Sequence, residues 1–176
     1  MKITHNILEA ISYSARQHLN QFRKDKHTPY HAHPMRVATI AAGWGVEDEA
    51  TLIAALLHDL IEDTKSDFDG IAKKFGTDAA NRVATLTKDS RLPFALREDT
   101  YYATLVASDW LTRTAKMADG YDNLLDSAHA KIPTDALFKA EKALALLAYG
   151  DEAPLVAGRI ALTALVAETK ARTGAA

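Results

Sequence analysis

The chain has no cysteine, which excludes disulfides, thiolate metal sites and a cysteine nucleophile. It has no long hydrophobic run either. The longest, at residues 52–57 and 143–148, are far too short to cross a bilayer. The opening residues Met1-Lys2-Ile3-Thr4-His5-Asn6 lack the apolar core of a signal peptide. Neither sign of charge dominates: 21 Lys and Arg face 23 Asp and Glu, a net charge of −2. No global field therefore draws the chain to nucleic acid or to an anionic membrane, and cations that serve an anionic ligand must be local. Repeats, low-complexity tracts and alternating strand patterns are absent too. These absences predict a cytoplasmic protein without a nucleic-acid or membrane partner.

What is present reads as helix nearly throughout. Thr4 can cap a first helix whose apolar stripe is Ile7, Leu8, Ile11, Ala15, Leu19 and Phe22. It ends in the basic cluster Arg23-Lys24-Asp25-Lys26-His27, before the turn-forming Thr28-Pro29-Tyr30. A second helix starts near His33-Pro34, where the missing N–H is harmless, and stops at Gly43. Residues 47–61 predict a buried third helix. Two short helices follow, near 68–75 and 77–87, then an irregular loop over 88–94. Further helices are predicted near 95–107, near 109–127, from Pro133 to Tyr149, and from about 151–154 through Lys170. The expected architecture is an all-α, single-domain helical bundle over 1–172, with 173–176 as a frayed tail. The stripe Leu155, Val156, Ile160, Leu162, Leu165 and Val166 can close the core or make a subunit contact. Closing the core is the commoner use of such a face, and the oligomeric state stays open.

The most informative stretch is Leu56-Leu57-His58-Asp59-Leu60-Ile61-Glu62-Asp63-Thr64, a His-Asp pair closing an apolar run. An ionised carboxylate there is costly unless something pairs with it, and a bound cation is the simplest remedy. Helical periodicity puts Glu62 one turn beyond His58 and Asp63 one turn beyond Asp59. Four candidate ligands can be assembled from three helices: His33, His58, Asp59 and Asp119. Two imidazoles with two carboxylates suit a divalent ion such as Mn²⁺, Fe²⁺, Co²⁺ or Zn²⁺. Taken alone, His33 is more often a helix-terminal or capping histidine, and Asp119 more often a solvated helix residue. The apolar run makes that bland reading implausible for His58-Asp59.

The order His33…His58-Asp59…Asp119 resembles the H…HD…D signature of the HD superfamily of metal-dependent phosphohydrolases. The surrounding words narrow it. Thr28-Pro29-Tyr30-His31-Ala32-His33-Pro34 resembles the "G-T-P-Y-I-x-H-P" opening of the hydrolase domain of RelA/SpoT-like proteins. Residues 55–64 match its "A-L-L-H-D-x-x-E-D-T", residues 83–88 its "V-x-x-L-T-K", and residues 116–124 its "K-x-A-D-R-x-x-N-L". The likeness covers residues 16–125, and the length leaves no room for a synthetase half, so the chain looks like a stand-alone small alarmone hydrolase.

That resemblance implies an all-helical Mn²⁺ enzyme that removes the 3′-pyrophosphate from (p)ppGpp, with a hyperphosphorylated purine nucleotide as its partner. It implies His33, His58, Asp59 and Asp119 as metal ligands and Glu62 and Asp63 as the pair that handles the attacking water. Asn123 matches a nucleoside contact, and Arg23 and Lys24 are nearest to the family's basic residues. Tyr101 or Tyr102 can line the nucleobase side. The chemistry of the residues agrees. A metal lowers the pKa of its water and polarises a phosphoryl oxygen, and a neighbouring carboxylate takes the proton. Lys88, Arg91 and Arg97, around the irregular loop, are candidates to compensate the pyrophosphate charge. Lys116 shares a helix face with Asp119 and can serve substrate or pair with that acid.

Two departures stand out: Gly120 where the family commonly carries Arg, and His27 where it carries Gly. Asp126, one turn beyond Asn123, can accept from donors on a guanine or an adenine edge, which leaves (p)ppApp beside (p)ppGpp. Two further readings compete: a general HD-type nucleotidase releasing orthophosphate, and a nucleotide-binding sensor or antitoxin-like partner. The intact Glu62-Asp63 pair argues against the last.

Overall fold

Four helices begin on side chains that the sequence itself supplies as caps. Thr4 accepts from the Ile7 amide at 3.2 Å, and Asp48, Asp67 and Asp109 accept from Thr51, Gly70 and Thr112 at 2.8 Å each. Each satisfies an N–H that the first turn leaves without an intrahelical partner. The computed structural model describes residues 2–127 and 134–174. Its helices are α1 (His5–Gln17), α2 (Ala32–Gly43), α3 (Glu49–Leu57), α4 (Leu60–Asp63), α5 (Phe68–Phe75), α6 (Thr77–Leu86), α7 (Phe94–Ala107), α8 (Trp110–Asp126), α9 (Thr134–Leu147) and α10 (Ala153–Thr173). Among the described residues the only extended pairing is an isolated bridge between Phe22 and Pro29. The predicted helical start at Pro133, and the tail residues 175–176, lie outside the described residues. Gly174, in the left-handed conformation, caps α10.

Two helices form the middle of the bundle, and both carry candidate ligands. Every residue of α3 from Thr51 to Leu57 is buried; α3 packs against α1, α2, α6 and α8. Each fully buried Leu or Ile there contributes about 1.5–3 kcal/mol of transfer free energy. Helix α8 packs against α2, α9 and α10. The C-terminal stripe splits: Leu155 and Leu162 are fully buried, while Ile160 remains 65% exposed.

Two predicted elements are corrected. The first helix stops at Gln17 rather than running to Phe22. Leu19 and Phe22 keep the right spacing, but both are exposed, so no core rewards their extension. The chain instead pairs with itself, Arg23 N–H to Thr28 O at 2.8 Å and Tyr30 N–H to Gln21 O at 2.9 Å. The third helix, expected unbroken over 47–61, is split between α3 and α4 at His58-Asp59. His58 Nδ1 donates to the Ala55 carbonyl at 2.9 Å, and a local side-chain bond of this kind competes with the helical ladder. The break aims His58 and Asp59 at one point. The Asp63 amide still bonds Asp59 O at 2.8 Å, so Glu62 and Asp63 follow on the next turn.

Candidate active site

His33, in the first turn of α2, His58 and Asp59, between α3 and α4, and Asp119, mid-way along α8, converge. His33 Nε2 lies 3.2 Å from Asp119 Oδ1 and 3.6 Å from Asp59 Oδ2. His58 Nε2 lies 3.1 Å from Asp59 Oδ1 and 3.6 Å from Asp119 Oδ1. One ligand atom from each of His33, His58 and Asp119 fits within 4.8 Å of the others. All three residues are buried.

The donor set fits a divalent cation. The Nδ1 of His33 is 2.6 Å from Asp122 Oδ2, and that of His58 is held by the Ala55 carbonyl. With Nδ1–H donating outward, each Nε2 turns a lone pair inward, as metal-ligating histidines do. His58 Nε2 is buried without any hydrogen-bond partner. Burial disfavours charging both imidazoles, yet the acids outweigh it. Hydrogen bonds that His33 donates to Asp119 and Asp122 hold it above its ordinary range, and the charges of Asp59 and Asp119 hold His58 well above it. Burial likewise opposes the ionisation of Asp59 and Asp119, but His58 holds the first below its ordinary range and Lys116 holds the second well below it. The centre is built for positive charge.

Glu62 and Asp63 line the same cavity, on the turn after His58 and Asp59. Glu62 Oε2 accepts from the Lys88 amide at 3.4 Å. The Tyr30 hydroxyl donates to Asp59 Oδ2 at 2.7 Å and lies 3.2 Å from Asp63 Oδ2. Burial, and then the neighbouring Asp59 charge, raise the Asp63 carboxyl above its ordinary range. Lys88 and Lys116 also line the cavity. Lys116 Nζ bonds Asp119 Oδ2 at 2.6 Å and lies 5.3 Å from the centre of the Tyr101 ring.

A family model described as "HD domain" matches residues 10–125. The chain belongs to the HD-domain family. It is 37% identical over 121 residues to the guanosine-3′,5′-bis(diphosphate) 3′-pyrophosphohydrolase MESH1 of Drosophila melanogaster, covering 68% of each chain. It is 40% identical over 122 residues to the MESH1 of Xenopus tropicalis, again covering 68% of each. A solved structure described as "A metazoan ortholog of SpoT hydrolyzes ppGpp and plays a role in starvation responses" superposes with a TM-score of 0.83, at 27% identity over 96% of this chain and 97% of that one.

The other predicted contacts of this HD domain scatter. Asn123 Nδ2 bonds Asp119 Oδ1 at 2.6 Å and its Oδ1 accepts from Arg23 at 2.9 Å, which brings Arg23 to the rim. Asp126, read from sequence as a free acceptor, is engaged by Arg23 at 2.9 Å and Arg36 at 3.2 Å. Lys24 is exposed and does not line the cavity. Arg97 ties down the 88–94 loop through the Ser90 and Leu92 carbonyls, while Arg91 pairs with Asp89 at the surface. Tyr101 and Tyr102 line the cavity and are also buried in the core.

Several residues at the site escaped the sequence reading. Lys139 of α9 lines the cavity, beyond the segment that any motif covers. The Tyr30 hydroxyl, quoted only as part of a motif, bridges Asp59 and Asp63. Asp122 and Arg36 lie behind His33. The available signal was spacing: each sits three residues after a candidate ligand, Arg36 after His33 and Asp122 after Asp119.

Proposed function

We propose that this HD domain is a metal-dependent pyrophosphohydrolase that removes the 3′-pyrophosphate from guanosine-3′,5′-bis(diphosphate) and related alarmones. The observation that carries the reading is the buried His33–His58–Asp119 group with half-buried Asp59 against it and Glu62 and Asp63 beside it, in a chain this similar to the MESH1 pyrophosphohydrolases. We assign those four residues as ligands of Mn²⁺, which mixed imidazole and carboxylate donors suit. The working compartment we assign is the cytoplasm; among the described residues no helix is long and apolar enough to cross a membrane.

When bound, the cation supplies Lewis acidity toward water and the phosphoryl oxygens. The protein's own groups do the rest. Asp63, with Glu62 beside it, accepts the proton of the attacking water. Its carboxyl, raised by burial and by Asp59, is a better base than an exposed one. The Tyr30 hydroxyl, which donates to Asp59, borders Asp63 at 3.2 Å. The water oxygen bonds to the phosphorus esterified at the ribose 3′-oxygen, the bond between that phosphorus and the 3′-oxygen breaks, and the 3′-oxygen takes up the proton given to Asp63. The products are a nucleoside 5′-di- or triphosphate with a free 3′-hydroxyl, and pyrophosphate. Lys88, Lys116 and Lys139 face the charge of the departing group, and Asn123 and Arg23 stand at the nucleoside side.

The test is product analysis by anion-exchange chromatography after Mn²⁺-loaded protein meets ppGpp and ppApp in parallel, with Asp59→Ala as the control for contaminants. Pyrophosphate with GDP or ADP is expected, and the faster substrate names the base. Orthophosphate from ordinary nucleotides, with neither alarmone turned over, would overturn the reading. The same assay with Fe²⁺, Co²⁺ and Zn²⁺ tests the assignment of Mn²⁺.

A further inference from the structure

The two histidines at the centre are held in unlike ways. His58 Nδ1 rests on a neutral backbone carbonyl, Ala55 O, at 2.9 Å. His33 Nδ1 meets a carboxylate, Asp122 Oδ2, at 2.6 Å. Asp122 is itself only 1% exposed, and such an acid needs a partner. Arg36 provides one in a two-pronged contact, Nε to Oδ1 at 2.6 Å and a terminal nitrogen to Oδ2 at 3.0 Å. The guanidinium reaches on to Asp126 at 3.2 Å; Asp126 bonds Arg23 at 2.9 Å, Arg23 bonds Asn123 at 2.9 Å, and Asn123 bonds Asp119 at 2.6 Å. The circuit closes on itself. It leaves one ligand, His33, and returns through another, Asp119.

We propose that Asp122, fixed by Arg36, is a positioning residue for the metal centre that locks His33 in the ligating tautomer and orientation. Position 122 falls on an unspecified place in the "K-x-A-D-R-x-x-N-L" pattern, so the motif itself assigns it no role. A carboxylate behind a ligating imidazole fixes its ring and strengthens it as a donor, and loss of such a partner typically weakens metal affinity about 10- to 100-fold. The fork of Arg36 holds the carboxylate ionised and in plane. Because Arg36 and Asp122 each sit one turn from a ligand on α2 and α8, the pair also pins the two helices at the spacing the centre requires.

The inference rests on the assignment of the four metal ligands but not on the identity of the substrate. Its test is Mn²⁺ titration of the full chain, followed by the electron paramagnetic resonance signal of free Mn²⁺, in wild type, Asp122→Asn and Arg36→Gln. Asp122→Asn should bind about 10- to 100-fold more weakly, and loss of the buried charge beside Arg36 should also lower the metal-free melting temperature. Asp122→Glu should recover part of the loss, which a packing role alone would not give. Should Asp122→Asn fail to fold, Arg36→Gln decides, since Arg36 is partly exposed: about threefold weaker binding or more supports the proposal, and unchanged binding overturns it. Asp122→Asn that folds and binds Mn²⁺ as wild type overturns it as well. Tight Mn²⁺ binding without alarmone turnover would sink the proposed function and leave this inference standing. A wild-type chain that binds no divalent ion would sink both.

Discussion

The cavity has two walls, and they are built on opposite plans. On one side, His33, His58, Asp59 and Asp119 touch one another, so each buried charge answers a neighbour. On the other, Lys88, Lys116 and Lys139 reach in separately from the segment after α6, from α8 and from α9. Lys88 and Lys116 flank the Tyr101 ring, 5.2 and 5.3 Å from its centre, and bond Glu98 and Asp119 respectively. The acid–imidazole wall calls for a cation, while the lysine wall calls for an anion. Lining one cavity and joined at the Lys116–Asp119 pair, they suit a polyphosphate held by a metal and by ammonium groups at once. The difference assigns the walls separate tasks, chemistry to the first and affinity to the second, and substitutions can separate them.

The largest effect is expected where both tasks depend on one residue. Asp59→Ala removes a ligand and leaves His58 and Asp119 imperfectly paired, so turnover should fall about a thousandfold or more as several kcal/mol of Lewis-acid stabilisation is lost. Mn²⁺ affinity should fall with it. Asp63→Asn should divide the acid wall from within: kcat drops by about 10²- to 10⁴-fold, while the Mn²⁺ dissociation constant stays put. If Asp63→Asn instead loses metal, Asp63 belongs to the ligand set and not to proton transfer.

Protons offer a second way to test the acid wall. His33 and His58 sit above their ordinary value of 6.5 because they face carboxylates. A raised imidazole contributes stability below its unfolded pKa and loses it as pH rises through the folded pKa. The metal-free protein should therefore melt at lower temperature as pH is raised beyond about 6.5. The Mn²⁺-loaded protein should not, since metal replaces the departing protons. The gap between the two melting curves widens with pH. A constant gap would mean that the histidines are not where the metal binds.

The walls also differ in how far the sequence revealed them. Metals demand particular residue types, so His33, His58-Asp59 and Asp119 stood out in their apolar and motif settings. Their convergence follows from the packing of α2, α3 and α8 together, of which composition suggested only the burial of α3. Lys139 carried no such mark. A lysine on an amphipathic helix is ordinary, and only the packing of α9 against α7 and α8 brings this one to the cavity. Asp122 and Arg36 were hidden for the same reason, because the register between α2 and α8 is a tertiary fact. The split at His58 escaped because periodicity counts apolar residues and is blind to a side chain competing for the Ala55 carbonyl. The overlong first helix shows the converse: Leu19 and Phe22 keep the spacing of a helix that has nothing to pack on.

The lysine wall should answer more gently than the acid one. Lys139→Ala is expected to raise KM about tenfold, roughly 1.4 kcal/mol, with kcat nearly unchanged. A charge contact open to solvent is screened by salt, so the wild-type advantage should shrink as ionic strength rises. A fall in kcat alone would move Lys139 to the chemical step and break the division between the walls.

Gly120 lies at the seam, next to Asp119 and lining the cavity, inside α8. Its backbone is not in the left-handed region, so the conformation itself does not require glycine. A Cβ built there meets nothing within 4 Å. Glycine inside a helix costs about 0.5–1 kcal/mol relative to alanine. Gly120→Ala should accordingly raise the melting temperature by about 2–4 °C per kcal/mol gained, the smallest effect considered. Its kinetics then sharpen the comparison. Unchanged kcat and KM would mean that the space above Gly120 is spare and that the two walls grip the substrate without it. A raised KM beside a raised melting temperature would mean that substrate occupies the seam, and that the glycine is kept for room at the expense of stability.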